Sequence, residues 1–428
     1  MPVDFFDVIS VGPFGYQIRR PGMQDKIELD INEANDLVER FGSPLYVYDE
    51  EILRKRCREI RELLKYEGFI PNYSAKANSN IELLKIIRSE GFTVDAMSPG
   101  EIMTELSAGF DKDEILFVSN NITYEEMDFA VKHGIRISID SLMQLRMFGE
   151  RHRGGSCAVR INPGIGDGGN EKIITGGHSK FGITLEKLPE LHRIVRDYDL
   201  HIIGINQHIG SLFYDTEKYV GACRRMLDTA MEFPELEFID FGGGFGIPYR
   251  YRHPEERPDL SEIGGLMDSL IADFMRAYGR KLTVKVEPGR YIVAECCQLL
   301  GTVTSTKISY GEKYVGTDIG FNVLMRPVLY DAYHYIAVYN REDKEETVNI
   351  VGNICESGDI LARNRSLPKL HVGDLIGIRD TGAYGYSMSS NYNSRLRPAE
   401  VLINRSSGTV RLIRKRDTYE DLLKNMIF

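Results

Sequence analysis

The chain lacks the features that would place it in a membrane, in the secretory pathway or on a nucleic acid. Over its 428 residues, no apolar run reaches the ~18 residues that a membrane-spanning helix needs. The N-terminal residues MPVDFFDVISVG have neither the basic start nor the apolar core of a signal peptide. The 63 acidic side chains outnumber the 53 basic ones, which gives a formal charge of −10, and no basic cluster occurs. We therefore expect a cytoplasmic protein without a membrane or nucleic-acid partner.

Cysteine is also scarce, with six residues that form no recognisable framework. Cys57, Cys157 and Cys223 are scattered, Cys296 and Cys297 are adjacent, and Cys355 stands alone in ICESGD. The sequence contains neither paired C-x-x-C motifs nor an H-E-x-x-H motif, so it indicates no metal site. Most of these thiols are expected to be buried and reduced. Hydrophobic residues at 42% and charged residues at 27% are typical of a folded globular protein.

The sequence is rich in short apolar strands that end in a polar residue and lead into a helix. Eight strands are predicted at 70–76, 92–98, 115–120, 135–140, 157–162, 202–210, 236–244 and 282–289. Between them, Ser98 with Glu101 and Thr123 with Glu126 have the spacing of helix-capping boxes. Eight such units close most naturally into a parallel (β/α)8 TIM barrel, and an open doubly wound sheet is the weaker alternative.

The sequence divides into three regions. Residues 1–45 contain a short strand candidate, DVISVG, and are expected to pack on a β domain. Residues 46–298 form the barrel. Residues 299–428 are rich in strands without amphipathic helices, which indicates a C-terminal antiparallel β domain of sandwich or barrel type, joined by the N-terminal strand. The charged stretch 249–262 is interpreted as a solvated loop, with a substrate lid as the alternative.

Residues at the ends of barrel strands carry the chemistry of this fold. Lys76 ends the first strand in S-A-K-A-N, where it is either a surface lysine or a partly desolvated amine whose pKa falls and which attacks an aldehyde. The glycines of Phe241–Ile247 follow the seventh strand and could hold an anion or simply form a tight turn. The run lacks the Lys-Ser/Thr ending of a nucleotide loop, which disfavours ATP.

Two further strand ends suggest a planar cationic ring. Glu287 ends the eighth strand in E-P-G-R, and it needs a cationic partner there, either a protonated pyridine nitrogen or Arg290. His208 ends the sixth strand in Q-H-I-G-S, either as a structural donor or as a ring that stacks on a cofactor. A lysine for an imine, glycines for a phosphate and a carboxylate for a pyridinium together indicate pyridoxal 5′-phosphate (PLP).

The motifs S-A-K-A-N, H-I-G-S, F-G-G-G-F-G-I, E-P-G-R, L-M-R-P-V-L-Y-D-A-Y-H, I-C-E-S-G-D and G-A-Y-G occur in this order from about residue 45 to residue 400. In this set and order the chain resembles the diaminopimelate decarboxylase family. This family belongs to the fold-type III PLP enzymes, together with ornithine decarboxylases and alanine racemases. The chain departs from the usual pattern at Leu212, where the family has glutamine, and at Pro99 in S-P-G-E.

The resemblance implies a role for each matching residue. Lys76 would form the imine with PLP, and Cys355 would protonate the substrate carbon after CO2 leaves. The cofactor contacts would be His208, Ser211, Gly243, Gly244, Glu287, Gly289, Arg290 and Tyr384. The substrate contacts would be Arg290, Arg326, Tyr330, Glu356 and Tyr384. Similar enzymes are homodimers in which the C-E-S-G-D segment completes the active site of the neighbouring chain.

The function that the resemblance implies is decarboxylation of meso-2,6-diaminopimelate to L-lysine, the last step of lysine biosynthesis. Two guanidinium groups favour a substrate that keeps one carboxylate after the other is lost. The alternatives are a homologous decarboxylase of ornithine, lysine, arginine or a carrier-bound glutamyl group, and a non-catalytic PLP-binding paralogue. A racemase fits the fold, but the C-E-S-G-D and M-R-P motifs argue against it.

Overall fold

The computed structural model describes residues 26–118, 120–250, 257–340 and 344–427. The DVISVG strand candidate therefore lies outside the described residues, and so do residues 251–256 of the charged stretch. Among the described residues, no helix is long and apolar enough to cross a lipid bilayer.

The first ten strands alternate with helices. The strands are β1 (Leu45–Asp49), β2 (Asn72–Ser74), β3 (Thr93–Ala96), β4 (Ile115–Val118), β5 (Arg136–Ile139), β6 (Ser156–Asn162), β7 (Ile183–Thr184), β8 (His201–Asn206), β9 (Phe238–Asp240) and β10 (Thr283–Lys285). The helices are α1 (Ile31–Phe41), α2 (Glu50–Arg61), α3 (Ile81–Ser89), α4 (Pro99–Ala108), α5 (Tyr124–Lys132), α6 (Leu142–Arg151), α7 (Leu188–Tyr198), α8 (Thr216–Ala230), α9 (Leu260–Tyr278) and α10 (Arg290–Val293).

Eight of these strands form the predicted barrel. The parallel order is β10-β9-β8-β6-β5-β4-β3-β2, while the short β7 pairs only with β6. Backbone hydrogen bonds from Ile70 to the Val284 carbonyl (2.9 Å) and from Asn72 to the Val286 carbonyl (2.8 Å) join the last strand to the first. The closed parallel arrangement confirms the TIM barrel and excludes the open doubly wound sheet.

The helix caps that the sequence predicts form through hydrogen bonds between residues close in sequence. Thr123 accepts from the Glu126 N–H, and the Glu126 side chain returns to the Thr123 N–H, which completes a capping box on α5. Ser98 caps α4, but the Glu101 carboxylate accepts from the Met97 N–H instead (2.7 Å). Gly109 ends α4 in the left-handed conformation, at φ 97°.

A second sheet follows the barrel along the chain. Its strands are β11 (Cys297–Ser309), β12 (Glu312–Thr317), β13 (Ile336–Tyr339), β14 (Glu345–Val351), β15 (Ile360–Pro368), β16 (Leu375–Arg379), β17 (Ala399–Asn404) and β18 (Thr409–Arg414). Two short helices accompany them, α11 (Arg326–Tyr330) and α12 (Tyr419–Leu423). The α/β barrel plus a β-rich second unit confirms the predicted fold class. The sheet is mixed, however, because β1 runs parallel to β17 and β12 parallel to β14.

The strand that joins the two halves is β1. It pairs antiparallel with β11 and parallel with β17, so a strand that precedes the whole barrel lies inside the second sheet. Helix α1 covers this part of the sheet, and its buried Leu37 belongs to one core cluster with Leu45, Leu300 and Val401. The domain limits at 45/46 and 298/299 stay a prediction.

Candidate active site

Lys76 lies just beyond the carboxyl end of the first barrel strand. β2 ends at Ser74, and Ala75–Ala77 form a 3-10 turn that carries the lysine. Asp95 of β3 holds this turn, since its carboxylate accepts from the Ala75 N–H and from the Ser74 hydroxyl, both at 2.9 Å. On the other side, the Tyr384 N–H donates to the Ala77 carbonyl (2.9 Å). Lys76 is therefore fixed between the barrel and the second sheet.

The pKa of Lys76 is raised. Burial alone would lower it, but interactions with Tyr384, Asp95 and Glu287 outweigh burial. The predicted fall of this pKa is thus wrong for this structure. Proximity of three acidic groups from distant parts of the chain decides its direction, and the local pattern around a lysine does not reveal such neighbours.

Glu287 and Asp240 form a buried carboxyl pair beneath the barrel mouth. Burial raises the pKa of Glu287 well above its usual range, and the neighbouring Asp240 and Asp95 raise it further. Burial also raises the pKa of Asp240 to about 7, while a side-chain hydrogen bond with Glu287 opposes this rise. Apart from this bond between the two carboxyl groups, Glu287 Oε1 and Asp240 Oδ2 have no hydrogen-bond partner among the described residues. Because Glu287 makes no ion pair with Arg290 in the described chain, that structural alternative is not supported.

His208 faces the glycine-rich loop in a neutral form. Its Nδ1 accepts from the Gly243 N–H (3.2 Å), which leaves the ring proton on Nε2. Burial lowers the pKa of His208 well below its usual range, and the charges of Lys76 and Arg160 add to this effect. A flat, uncharged imidazole can stack on a planar ring.

The loop after β9 requires glycine for steric reasons. A Cβ on Gly243 would lie 1.8 Å from the Glu287 carbonyl oxygen, and one on Gly244, whose φ is +107°, would lie 2.2 Å from the Gly210 carbonyl oxygen. Gly289 similarly packs on the lysine turn, where its Cβ would lie 2.9 Å from the Ser74 Cβ. The loops that carry His208, Glu287 and Lys76 therefore meet by backbone contact.

Arg290 and Arg326 lie buried beside this cluster. Arg290 donates to the Ser211 hydroxyl from Nε (3.3 Å) and Nη2 (3.0 Å), and to the Tyr249 hydroxyl from Nη1 (2.8 Å). Its Cζ is 4.8 Å from the centre of the Tyr384 ring. The Arg326 guanidinium lies over the Tyr249 ring at 4.7 Å. Both predicted substrate arginines thus share one aromatic neighbour.

Three predicted residues lie outside this cluster or only beside it. Cys355 is exposed and lines a cleft of about 550 Å³ in the second sheet region, where its N–H donates to Asn393 Oδ1 (2.8 Å). Glu356 is also exposed. Tyr330 ends α11, and its carbonyl accepts from Asn170 (3.2 Å). Among the described residues, no hydrogen bond, ion pair or ring contact joins Cys355 or Glu356 to the surroundings of Lys76.

The structure adds four residues that the sequence interpretation missed: Asp95, Asp240, Tyr249 and His334. Both aspartates occur within apolar strands, and this alone could have marked them as buried charges that need a function. His334 ends the quoted run L-M-R-P-V-L-Y-D-A-Y-H, and Tyr249 opens the charged stretch 249–262, but neither received a role.

Comparison with known proteins identifies the family. The family model described as pyridoxal-dependent decarboxylase, pyridoxal binding domain, matches residues 50–294. A diaminopimelate decarboxylase of Methanothermobacter thermautotrophicus is 42% identical over 405 residues, covering 92% of this chain and 93% of that protein.

Solved structures give the same result. A crystal structure of a diaminopimelate decarboxylase superposes with a TM-score of 0.85 at 34% identity, over 92% of this chain and 96% of that one. The enzyme of M. jannaschii in complex with L-lysine superposes with a TM-score of 0.83 at 32% identity, over 92% and 94% of the two chains. The protein therefore belongs to the diaminopimelate decarboxylase family of pyridoxal-dependent decarboxylases, which are carboxy-lyases.

Proposed function

We propose that this chain uses PLP to decarboxylate meso-2,6-diaminopimelate to L-lysine. The observation that carries the proposal is one barrel mouth that combines a lysine amine, a neutral imidazole, a buried carboxyl pair and two arginines. Its relatives bear the name of this reaction, and one of them was solved with L-lysine. A cytoplasmic location stays a prediction.

The residues present fit PLP. Apart from the neighbouring Asp240 carboxyl group, the buried Glu287 Oε1 has no hydrogen-bond partner in the described chain, and a protonated pyridine nitrogen would supply a donor and a positive charge. Glycine at 243 and 244 lets this loop pack directly on the Glu287 and Gly210 carbonyl oxygens. A glycine-rich loop at this place suits a phosphate held by backbone N–H groups, although the Gly243 N–H itself is bound to His208. We assign Ser211, Gly289, Arg290 and Tyr384 to the same cofactor site.

Bound PLP supplies an aldehyde for an amine and a protonated ring that accepts the electron pair released with CO2. Lys76 would be the amine that reacts with this aldehyde and takes it back when the product leaves. Glu287 would supply the negative charge that keeps a ring nitrogen protonated, and Asp240 would share the proton left on the carboxyl pair. His208 would present its uncharged face to the ring.

The substrate class follows from charge. Arg290 and Arg326 favour an amino acid that retains a carboxylate at the end remote from the reaction, with Tyr330 as a further contact. Diaminopimelate has this second carboxylate, whereas ornithine, lysine and arginine do not. Their decarboxylation would leave the buried guanidinium groups without an anion.

The test is CO2 release by PLP-loaded protein with meso-diaminopimelate, L-ornithine, L-lysine, L-arginine and L-glutamate. We expect diaminopimelate to give the highest kcat/KM. Faster turnover of another substrate would replace the substrate assignment, and no turnover of any would support a non-catalytic paralogue. Borohydride reduction and peptide mass mapping should place the pyridoxyl group on Lys76, and a pyridoxyl group on another lysine would contradict the site.

A homodimer with shared active sites is the second part of the proposal. Cys355 and Glu356 are exposed and separate from Lys76 within one chain, which supports their use in the site of a partner subunit. There, Cys355 would donate the proton to the substrate carbon, and Glu356 would bind the distal ammonium group. The exposed Val328 and Leu329 of α11 provide apolar surface near the substrate arginine Arg326.

Subunit mixing tests this arrangement. Lys76→Ala and Cys355→Ala homodimers should each be nearly inactive. After random exchange, about half of the dimers are hybrids with one intact site each, so activity should recover to roughly a quarter of wild type. No recovery, with exchange confirmed by native mass spectrometry, would place both residues in the same chain's site or remove Cys355 from the reaction.

A further inference from the structure

Two buried guanidinium groups at the barrel mouth carry charge that no carboxylate in the described chain neutralises by an ion pair. Arg290 is 6% exposed and Arg326 is 3% exposed. Their hydrogen bonds go to neutral acceptors, namely the hydroxyls of Ser211 and Tyr249 and the imidazole of His334. A neutral acceptor orients a guanidinium without cancelling its charge, so the charge stays available for an anionic ligand.

Tyr249 connects the two guanidinium groups. Its hydroxyl accepts from Arg290 Nη1 (2.8 Å), while its ring lies 4.7 Å from Arg326 Cζ. Two cations so close together repel each other, most strongly where water is excluded. The negative face of an aromatic ring and a hydroxyl acceptor offset this repulsion and set the spacing of the pair.

His334 fixes the orientation of Arg326. Its Nε2 lies 2.7 Å from Arg326 Nη1, and because a guanidinium only donates, this nitrogen must be the unprotonated one. Its Nδ1 then carries the proton and donates to the Arg379 carbonyl (2.7 Å) at the end of β16. The ring of His334 also packs edge-on against Tyr249, with the centroids 5.5 Å apart.

The Nε donor of Arg326 is left for a ligand. With Nη1 bound to His334, the buried Nε has no hydrogen-bond partner among the residues the structure describes. Because the guanidinium is planar, the bond to His334 also fixes the plane in which Nε points. A carboxylate oxygen is the acceptor that best matches such a donor.

We infer that Tyr249 and His334 are positioning residues that hold Arg290 and Arg326 together as one site for a substrate carboxylate. They thereby determine the selectivity for amino acids with a second carboxylate group. This inference deepens the proposed function and rests on it for the identity of the substrate.

Equilibrium binding to the PLP-loaded enzyme tests the inference with two ligands. L-lysine carries the carboxylate that diaminopimelate retains, whereas cadaverine differs from L-lysine only by lacking it. Isothermal titration calorimetry should show that wild type binds L-lysine more tightly. His334→Phe should weaken L-lysine binding by about 10- to 100-fold and change cadaverine binding by less than about twofold.

Conservative variants separate positioning from packing. His334→Gln keeps an acceptor for Arg326 and a donor for the Arg379 carbonyl, so it should retain most of the preference for L-lysine. Tyr249→Phe keeps the ring and loses the hydroxyl, and should weaken L-lysine binding by about 3- to 10-fold. Tyr339→Phe is the matched control: it removes a buried tyrosine hydroxyl that accepts from Gln298, outside the site.

The outcomes distinguish this inference from the proposed function. Decarboxylation of diaminopimelate by wild type, with the preference for L-lysine unchanged in both His334→Phe and Tyr249→Phe, would overturn the inference alone. Equal weakening of both ligands would also overturn it, because it indicates a general structural role. A wild type that prefers L-lysine and loses this preference in the variants, yet releases no CO2 from diaminopimelate, would overturn only the proposed function. If His334→Phe does not fold, Tyr249→Phe decides by the same criteria.

Discussion

The molecule contains two groups of basic residues in its interior, and the two groups differ in whether carboxylates neutralise their charge. The first surrounds Glu295, which is fully buried behind the barrel. Arg257 reaches its carboxylate at 2.7 Å and Lys26 at 3.2 Å, and Arg56 makes a third ion pair. Burial alone would raise the pKa of Glu295, but Lys26, Arg56 and Arg257 reverse the effect and lower it. Asp380 also pairs with Lys26 (2.9 Å) and Glu59 with Arg56 (2.7 Å), so three carboxylates balance the three cations and tie Lys26 to the barrel.

The second group, Arg290 and Arg326, has hydrogen-bond acceptors but makes no ion pair with a carboxylate in the part of the chain that the structure describes, and Asp380 acts on Arg326 only from a longer distance. Burial lowers the pKa of Arg326, and Arg290 lowers it further, whereas Tyr249 raises it. The comparison shows that basic residues paired with carboxylates hold parts of the chain together. Basic residues without a carboxylate partner are instead available to bind an anionic ligand. Mutations around Glu295 should therefore change the free energy of unfolding, whereas mutations of Arg290 and Arg326 should change ligand binding and activity.

The largest loss of folding stability should follow mutation of Glu295, the carboxylate at the centre of the first group. Glu295→Gln leaves the buried Lys26 and Arg56 and the half-buried Arg257 with one carboxylate fewer, so the free energy of unfolding should fall by about 3 to 5 kcal/mol. Urea unfolding measures this change, with Glu67→Gln, in an exposed pair with Lys281, as a control that changes little. A preference for L-lysine over cadaverine that disappears together with the stability would show that the two groups are not separate.

Mutation of the second group, Arg290 and Arg326, should lower activity rather than the free energy of unfolding. Arg326→Met removes one charge-assisted carboxylate contact, which should lower kcat/KM for diaminopimelate by about 30- to 1000-fold, or roughly 2 to 4 kcal/mol. PLP content should stay unchanged. Because a buried charge without an anionic partner is replaced by an apolar side chain, the free energy of unfolding should not decrease. A loss of stability as large as that of Glu295→Gln would contradict the comparison.

A buried acid without any partner extends the comparison. Both carboxylate oxygens of Glu105 in α4 lack a hydrogen-bond partner among the described residues, and burial raises the pKa of Glu105 to about 10. The folded protein then keeps a proton that the unfolded chain releases above about pH 4.3, so rising pH favours unfolding until the folded pKa is reached.

Glu105→Gln should remove this pH dependence. Between pH 5 and pH 8 the wild type should lose about 1.4 kcal/mol per pH unit relative to the variant, as measured by urea unfolding at several pH values. A difference between the two proteins that stays constant with pH would mean that Glu105 is ionised in the folded state.

The sequence was a good guide wherever the cause of structure is local. Thr123 and Glu126 cap a helix by contacts three residues apart, and Gly109 ends a helix by its own conformation, so such patterns were sufficient to count the barrel units. The strand ends were also informative, because parallel strands bring their carboxyl ends to one face. This placed Lys76, His208, Gly243 and Glu287 together in advance.

The sequence was a poor guide wherever the cause is an encounter between distant residues. The raised pKa of Lys76 depends on Tyr384, Asp95 and Glu287, which three different parts of the chain bring to the amine. The contact of Arg326 with the Tyr249 ring likewise depends on how α11 is placed against the loop after β9. Contacts of this kind have no period or motif that a single sequence displays.

The position of β1 has a consequence for how the protein is made. This strand leaves the ribosome before the barrel, yet one of its neighbours, β17, is synthesised near the end of the chain, and Tyr48 is 352 residues from its partner Glu400. During translation, the edge of β1 that pairs with β17 therefore stays unpaired until most of the chain has emerged. A nascent chain released before β17 would expose that edge to other strands, so premature termination should yield aggregates rather than a stable barrel.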